Sequence, residues 1–546
     1  VRLKEAPSKK PLFQQNALDK VVSWFNPMAG QRRLQARATI AMANAWSGGS
    51  KSRRTLRGWS TPSGDADTDT LTDLPTLRER SRDLLRDNPV ANGAVNVQVT
   101  SIVGTGLTLN AQIDRNQLQE MLGLTDDDAD AWERKTEAEF ALWSGQECDS
   151  ERTLNFAGLQ ELALRSVLES GDVFVLTPMI ARRPSPYQLR LQLVEADRVC
   201  NKDNGQDTAT LTAGVEKDAN GAPLQYHILK SHPGNMLGKS GEWQIVPAFG
   251  ARTGRRNVLH LYHKRRPGQT RGVPCLAPVI EEIKQLGRYS EAEIQRAVVS
   301  TFFSVFVKSQ TGLGIAPMET SSGTTTTADG KNYEMSSGAV LDLAPGEDVT
   351  FADPSAPNPN FDAFVQAMTG QIGMALEIPY EVLVKRFTSS YSASKAALLE
   401  AWRFFLCRRK WLADALCRPV YELFLDEAVA RGRIIAPGYL SGDPLLRAAW
   451  LGAEWVGPAR GDIDEVKQIE AAERRIALGI STRARETTAI TGGDYDQVHA
   501  QQVKENKRRL ADGLGEGTEA KGTKAEGTEA LRDDDEQGKE LVPDSE

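Results

Sequence analysis

The sequence predicts a mainly helical α+β protein built from more than one module, and three observations carry that expectation. A chain of 546 residues exceeds a single core, so roughly two to four modules are expected. From residue 274 onward, apolar residues recur at helical spacing over long stretches. Between residues 171 and 261 the pattern is instead one of short β-like runs punctuated by Gly, Asn and Asp.

Residues 1–60 contain one short amphipathic piece (Leu18, Val21, Val22, Phe25) and then a Gly/Ser/Arg-rich stretch; Lys9, Lys10, Lys20, Arg32, Arg33, Arg37, Lys51, Arg53, Arg54 and Arg57 make it basic. Residues 61–73, rich in Asp, Thr and Gly, read as a loop. Helical spacing follows over 77–86, closed by Asn88-Pro89. Residues 94–113 are a helix or a strand turning at Gly104-Thr105-Gly106; short apolar runs do not decide which. Thr125 and three aspartates open a helix to Trp143, with the acids at the positive end of its dipole. A second helix covers Phe156–Ser170. The β-like runs are 173–176, 189–193, 225–229 and 258–262.

From Pro274 to Lys308 apolar residues keep helical spacing (Ile283, Leu286, Tyr289, Ile294, Val298, Phe302, Val305), a helix of about 50 Å at 1.5 Å per residue. Glu281, Lys284, Arg288, Glu291 and Arg296 on its other face exclude a membrane span. A Gly/Thr/Ser-rich excursion (312–337, with Thr324 to Thr327 at its tip) precedes a brief β-like return at 339–343. Residues 361–376 form the next helix, carrying Gly370 and Gly373 and ended by Pro379. The polar stretch 385–390 leads into a long aromatic helix over 393–431, with a bend at Pro419. Helical spacing returns over 463–479 and 494–510. The tail repeats Glu-Gly-Thr-Glu-Ala at 516 and 526, includes Asp533-Asp534-Asp535-Glu536, and is expected to be disordered.

Composition excludes several classes. With 40% hydrophobic and 25% charged residues the chain reads as soluble and globular, and no uninterrupted apolar stretch reaches the roughly 18–20 residues a bilayer requires. Val1 to Glu5 have no apolar h-region, so no secretory signal is expected. Five scattered cysteines (Cys148, Cys200, Cys275, Cys407, Cys417) fit free thiols in a reducing compartment. A net charge of −7 argues against coating nucleic acid by phosphate neutralisation, though not against letting it slide past. Gly234 to Ser240 is one residue short of a phosphate-binding loop and precedes a strand-like 241–246 instead of a helix. Asp126, Asp128, Asp130 and Glu137 match part of a calcium-loop spacing, but Ala131 replaces the turn glycine and Arg134 would repel the ion. His260 and His263, three apart in a strand, point to opposite faces. No catalytic residue, cofactor or metal is expected.

One constellation is more specific. Arg266-Pro267-Gly268-Gln269-Thr270-Arg271-Gly272-Val273-Pro274, the long helix after it, Pro345-Gly346-Glu347, Ile378-Pro379-Tyr380-Glu381-Val382-Leu383, Tyr391-Ser392-Ala393-Ser394-Lys395-Ala396, Trp402-Arg403, Arg408-Arg409-Lys410, Trp455-Val456-Gly457, Ile463-Asp464 and Gly479-Ile480-Ser481-Thr482 stand in one order. Together with Arg78 to Arg82, Asn88-Pro89 and Ile102 to Gly106 upstream, this resembles the lambda-type tailed-bacteriophage portal protein family over roughly residues 70–510. Glu377 (often Gly), Lys395 (often Arg) and Glu465 (often Pro) depart from the family pattern. The resemblance implies a non-enzymatic virion protein with wing, stem, clip and crown regions, assembled as a dodecameric ring at a capsid vertex after assembly in the host cytoplasm. Its partners would be further copies of itself, double-stranded DNA in the channel, the terminase large subunit, major capsid and scaffold proteins, and neck or head-completion proteins. It divides the chain into a basic, partly flexible arm (1–60), wing (61–273), first stem helix (274–308), clip (309–357), second stem helix (358–378), tunnel loop (379–392), long helix and wing return (393–455), crown helices (456–510) and acidic tail (511–546). Lys385, Arg386, Thr388, Ser389 and Ser390 of the tunnel loop would face the DNA. The rival expectation is another structural virion protein, such as a neck adaptor or minor capsid component.

Overall fold

The structure, a computed structural model, describes residues 17–514 apart from 44–53, 57, 62, 146–147, 236–241, 302–304, 310–346, 352–357, 388–389 and 462–463. The whole 312–337 excursion, the 339–343 run, the acidic tail from 515, and Thr388 and Ser389 therefore lie outside the described residues, as do Lys9, Lys10, Lys51, Arg53 and Arg57. Residues 1–65 and 66–546 form two compact units. In the first, α1 (Ala17–Phe25) and α2 (Pro27–Ala43) meet at Asn26, whose Oδ1 accepts a hydrogen bond from the Ala29 amide at 3.1 Å. The second helix lacks apolar periodicity and so has no signature in the residue pattern.

The second unit opens with α3 (Thr68–Leu71), α4 (Leu74–Asp87) and α5 (Pro89–Ile102). Asn88 ends α4 and caps α5. Its Oδ1 accepts from the amides of Val90 and Ala91 at 2.9 and 3.1 Å, and Pro89 fills the first helical position, where no amide is needed. Residues 94–102 are thus helical, and the chain turns into strand β1 (Thr108–Ala111). The turn requires Gly106: its φ is 114°, and a Cβ there would overlap the side chain of Ala157. Next come α6 (Arg115–Leu122), too short for its apolar spacing to stand out, then α7 (Asp126–Ser144), capped by Thr125 Oγ, and α8 (Phe156–Ser170).

Strands β2 (Asp172–Leu176), β3 (Gln192–Glu195), β4 (Leu211–Thr212), β5 (Val215–Lys217), β6 (Pro223–Leu229), β7 (Trp243–Pro247) and β8 (Val258–Tyr262) build two antiparallel sheets, ordered β3-β2-β8 and β4-β5-β6-β7. Central β2 is buried along its length. The expected 189–193 strand is corrected to Gln192–Glu195, with Leu189 and Leu191 making only isolated bridges. The Gln188 and Leu189 amides donate instead to the Glu427 carboxylate, at 2.7 and 2.9 Å.

A 3-10 turn, Ala277–Val279, leads into α9 (Ile280–Thr301). This helix is about 33 Å long, shorter than the 274–308 expectation, because the chain becomes strand β9 (Val305–Ser309), paired antiparallel with β10 (Glu347–Phe351). Val305 and Val307 are β-branched, a preference that apolar spacing alone does not register. Helix α10 (Phe361–Ala375) then packs on α9. The Tyr289 ring lies 5.6 and 4.7 Å from those of Phe361 and Phe364, and Asn358 donates to the Tyr289 hydroxyl at 2.9 Å. The chain folds back directly after α10 and passes close over Gly373, where an added Cβ would meet the Ile378 carbonyl at 2.6 Å.

Helix α11 (Tyr380–Val384) is followed by α12 (Tyr391–Leu412), a π-helical turn Ala413–Cys417, and α13 (Arg418–Ala430). The expected bend at Pro419 is replaced by that turn. The Arg418 amide bonds to the Ala413 carbonyl five residues back, and Pro419, with no amide to donate, enters the first turn of α13. Then come α14 (Pro444–Trp450), β11 (Ala453–Val456), α15 (Glu465–Ala477), α16 (Arg483–Thr491), which has little apolar patterning, and α17 (Tyr495–Ala511). Strand β11 pairs with β1, joining parts of the unit more than 300 residues apart. Phe140 anchors the core there, with ring distances of 5.4 Å to Trp143, 5.7 Å to Phe156, 5.2 Å to Phe424 and 5.8 Å to Trp455.

Beside this apolar core lies a buried charge cluster. Asp172, fully buried at the start of β2, receives Arg271 Nε at 2.5 Å, Arg78 at 2.8 Å, His260 Nε2 at 3.2 Å and the Gly272 amide at 3.3 Å. Arg271 also donates to the carbonyls of Ala196, Val199 and Ala213, at 2.7, 2.7 and 2.8 Å, and stacks 5.0 Å over Phe174. Burial alone would raise the Asp172 carboxyl; the facing Arg271 and Arg78 guanidinium groups and His260 outweigh it and hold it well below the usual range. Gly171 and Gly272 permit this approach, since a Cβ on Gly272 would overlap the Gly171 carbonyl. Truncating one member of a buried, fully bonded set leaves charge unpaired. Asp172→Ala should therefore cost about 3–5 kcal/mol, read as a lowered denaturant midpoint. Arg403→Ala, which removes an exposed pair with Glu400, should leave the midpoint unchanged.

Candidate functional site

The sequence places its functional candidates between α10 and α12. Glu377 leaves α10 with φ 58°, in the left-handed region that glycine occupies at least cost, which gives a physical reason for the glycine that the family resemblance leads one to expect there. The Pro379 carbonyl accepts from the amides of Val382 and Leu383, at 3.1 and 3.0 Å, and nucleates α11. Buried Leu383 anchors this short helix; the segment expected as a loop over 379–392 thus contains a helical turn. Lys385, at φ 55°, ends it by donating its amide to the Glu381 carbonyl.

Lys385 and Arg386 consequently sit side by side and exposed. Arg386 approaches Asp362 of α10 at 3.8 Å, with both side chains more than half exposed, a contact that water screens. Ser390 serves the backbone instead, since its Oγ accepts from the Ala393 amide at 3.4 Å and caps α12. Among the described candidates the geometry therefore groups Lys385 with Arg386 and sets Ser390 apart.

Sequence reasoning missed the residues that fix this segment's frame. Arg409 of α12 donates to the carbonyls of Ser101 and Ile102, at 3.0 and 3.1 Å, and lies 5.0 Å over the Trp402 ring; burial lowers it to about 10. The signal lay in the motifs themselves: Ile102-Val103-Gly104, Trp402, Arg409 and Gly457 converge in space, and a Cβ on Gly457 would meet Arg409 Nε at 2.7 Å. Arg408 reaches His263 at 3.0 Å and Glu377 at 3.5 Å. Burial, then Arg408 and Arg265, lowers His263 to about 3. His260 and His263 are thus drawn to different partners, the Asp172 cluster and α12.

The calcium-like acids go to separate partners, except that Asp126 and Asp130 both approach Arg115. Asp130 pairs with Arg115 at 2.6 Å, Asp128 accepts from the Thr125 hydroxyl, and Glu137 accepts from the Ala111 amide at 2.9 Å. In the phosphate-loop-like stretch, residues 236–241 lie outside the described ones, and 243–247 form β7. A cleft of about 970 Å³ opens between α12, β11 and α15 to α17. Charges on it pair with one another: Lys410 with Asp414 at 3.1 Å, Lys467 with Asp464 at 2.8 Å, and Arg475 with Glu486 at 2.6 Å.

Residues 52–409 match the family described as "Phage portal protein, lambda family". The chain is 27% identical over 480 residues to the portal protein of Escherichia phage N15, covering 84% of this chain and 89% of that one. It is 26% identical over 489 residues to portal protein B of Escherichia phage lambda, covering 86% and 90%. A probable portal protein of Halomonas phage phiHAP-1 is 24% identical over 521 residues, covering 93% and 90%. Among solved structures, a chain from the neck of an empty gene transfer agent particle aligns with TM-score 0.43 and 14% identity, over 76% of this chain and 92% of that one. One from the virion of the native particle gives 0.40 and 14%, over 77% and 93%. The family match spans about two thirds of the sequence and includes the Arg271 motif, both helices α9 and α10, and most of α12: the fold and its motifs define a structural protein of the phage particle. The chain belongs to the lambda family of phage portal proteins.

A titration follows from the geometry around α17. Burial, joined by the carboxylates of Asp494, Glu133 and Asp496, outweighs the bond from the Ala111 amide and raises Glu137 to about 7. The folded state then holds a proton that the unfolded chain releases near its ordinary value of 4.5, so this group's contribution to stability falls as pH rises from about 5 to 7. Glu137→Gln keeps an acceptor for Ala111 without the charge. It should raise the melting temperature by a few degrees at pH 8 and leave it unchanged at pH 4, as scanning calorimetry would show.

Proposed function

We propose that this chain is one subunit of a dodecameric ring at a capsid vertex, surrounding the channel by which DNA is packaged and later ejected. The observation that carries the ring is the α9–α10 pair. The two helices pack on each other through Tyr289, Phe361 and Phe364, yet leave Ile294, Val298 and Met374 65%, 52% and 80% exposed. Apolar surface of that extent on a helical pair is covered when identical pairs stand side by side.

In this reading, residues 274–308 and 358–378 are the stem, 309–357 the clip, 61–273 and 393–455 the wing with its long helix, and 456–510 the crown, with 1–60 a basic arm and 511–546 an acidic tail. The clip receives the terminase large subunit during packaging and the neck proteins afterwards. Major capsid and scaffold proteins meet the ring in the host cytoplasm, and the finished ring stays in the virion. A conduit does its work by weak contact, because each tight phosphate bond would slow the moving duplex. Lys385 and Arg386, both exposed and the latter only loosely paired with Asp362, supply that kind of contact, with the neighbouring Thr388, Ser389 and Ser390 as polar lining.

Electron microscopy of the purified chain should show annular particles with a central channel; a population that stays monomeric under assembly conditions would contradict the ring. The double variant Lys385→Ala with Arg386→Ala should form rings like the unmodified chain and yet change DNA packaging or retention severalfold in an infectivity and DNA-content assay. Unchanged packaging would remove these two residues from the channel.

A further inference from the structure

The first compact unit, residues 1–65, concentrates charge of one sign. It holds 12 lysines and arginines against 3 acids, on a chain whose net charge is −7. Within it, α1 and α2 meet in a tight bend that closes on small residues: a Cβ added to Gly30 of α2 would stand 2.7 Å from the Ser23 Cα of α1. Among the described residues of this unit Gly30 alone is buried, so its large apolar side chains have no core of their own. Leu18, Val21 and Phe25 lie roughly 140–160° around α1 from Ser23, on the face turned away from the bend. Trp24 and Met28 flank the corner at Asn26 and Pro27, and the Trp24 and Phe25 rings meet edge to face at 4.7 Å. These five side chains are between 52% and 78% exposed. One turn beyond Met28, on the same face of α2, stands exposed Arg32, with exposed Arg33 beside it.

Two properties must be met by whatever covers this surface: it takes a bulky apolar stripe, and it takes excess positive charge. A nucleic-acid duplex offers phosphates to the arginines but no apolar place for Leu18, Val21 and Phe25. Crossing a bilayer is excluded for α1, which has nine residues; no helix of the described residues is long and apolar enough to do so. An anionic lipid interface meets both demands with the helix lying in its plane. Acyl carbons receive the aliphatic stripe, the Trp24 and Phe25 rings rest at headgroup level, and acidic headgroups attract the arginines. The local sign is decisive, because a chain of net charge −7 is otherwise repelled by such a surface.

We propose that α1 and the start of α2 dock on an anionic lipid surface, with Leu18, Val21, Trp24, Phe25 and Met28 in the interface and Arg32 and Arg33 at the headgroups. This contact belongs to the first unit alone and does not require the ring.

Flotation of the full chain with lipid vesicles tests it. Binding to phosphatidylcholine vesicles containing about a third phosphatidylglycerol should be at least tenfold tighter than to phosphatidylcholine alone, and should weaken as salt rises. Trp24→Ser with Phe25→Ser should weaken binding to the acidic vesicles roughly tenfold, and Arg32→Glu with Arg33→Glu should abolish the preference for them. Trp24→Phe should bind as the unmodified chain does, yet lose the part of the tryptophan quenching by bromine-labelled acyl chains that Trp24 supplies. Far-UV circular dichroism checks that each variant stays folded. A chain that does not float with acidic vesicles, or one whose flotation is indifferent to Trp24→Ser with Phe25→Ser, would overturn the lipid contact. Capture of a duplex DNA fragment that Arg32→Glu with Arg33→Glu abolishes, by a chain that ignores vesicles, would assign the unit to nucleic acid instead.

Discussion

A carboxylate with no access to water must be neutralised by its neighbours, and Asp172 meets that demand with groups from distant parts of the chain. Arg78 comes from α4, His260 from β8, and Arg271 and the Gly272 amide from the segment just before α9. Arg271 in turn satisfies three backbone carbonyls around residues 196–213. Isolated charges this deeply buried would be costly; a set with this many bonds is tolerated because its charges find partners of opposite sign. The geometric consequence matters more than the energy. The segment that leads into α9 is thereby tied to the central strand of the sheet, while Leu276, Val279, Ile283 and Leu286 bury the start of the helix in the core.

The same logic recurs at α12. Arg409 caps the carbonyls at the end of α5 and stacks on Trp402, while Gly457 leaves room for it. Planar guanidinium groups suit both places, since a lysine offers neither the rigid array of donors nor the stacking face. Between these two anchors the chain runs through α9, the β9–β10 ribbon, α10 and α11, an excursion held at both ends. Lys385 and Arg386 sit near the end of that excursion, exposed and close in sequence to buried Leu383. The exposed pair thus stands on a segment whose two ends are held by buried guanidinium bonds.

Patterned segments were legible from residues alone. The span of α8 and the N-cap of α7 follow from apolar spacing and from a Thr ahead of three aspartates, and β8 from its short β-like run. Errors fell where a local pattern met a distant partner. The 189–193 run looks like a strand until Glu427, more than 200 residues away, takes the amide of Leu189, and the carbonyls of Pro178 and Cys148 take those of Arg190 and Leu191. Helical spacing continues past Thr301, but the chain there pairs as a ribbon with residues 347–351. Helices α2, α6 and α16 carry too little apolar periodicity to stand out, and tertiary context supplies what propensity does not. At the candidate site, Lys385 and Arg386 were legible as exposed cations, whereas the capping role of Ser390 depends on where α12 begins.

By itself the sequence determined the mainly helical α+β class, the order of most elements and, through co-linear motifs, the family, because spacing, caps and turn residues act over a few positions. Tertiary structure alone decided what those motifs are for. Arg271 and Asp172 stand 99 residues apart, and Arg409 lies more than 300 from the carbonyls it binds; no local rule pairs them. Only the folded chain brings such groups within hydrogen-bonding distance, where loss of water makes each bond obligatory.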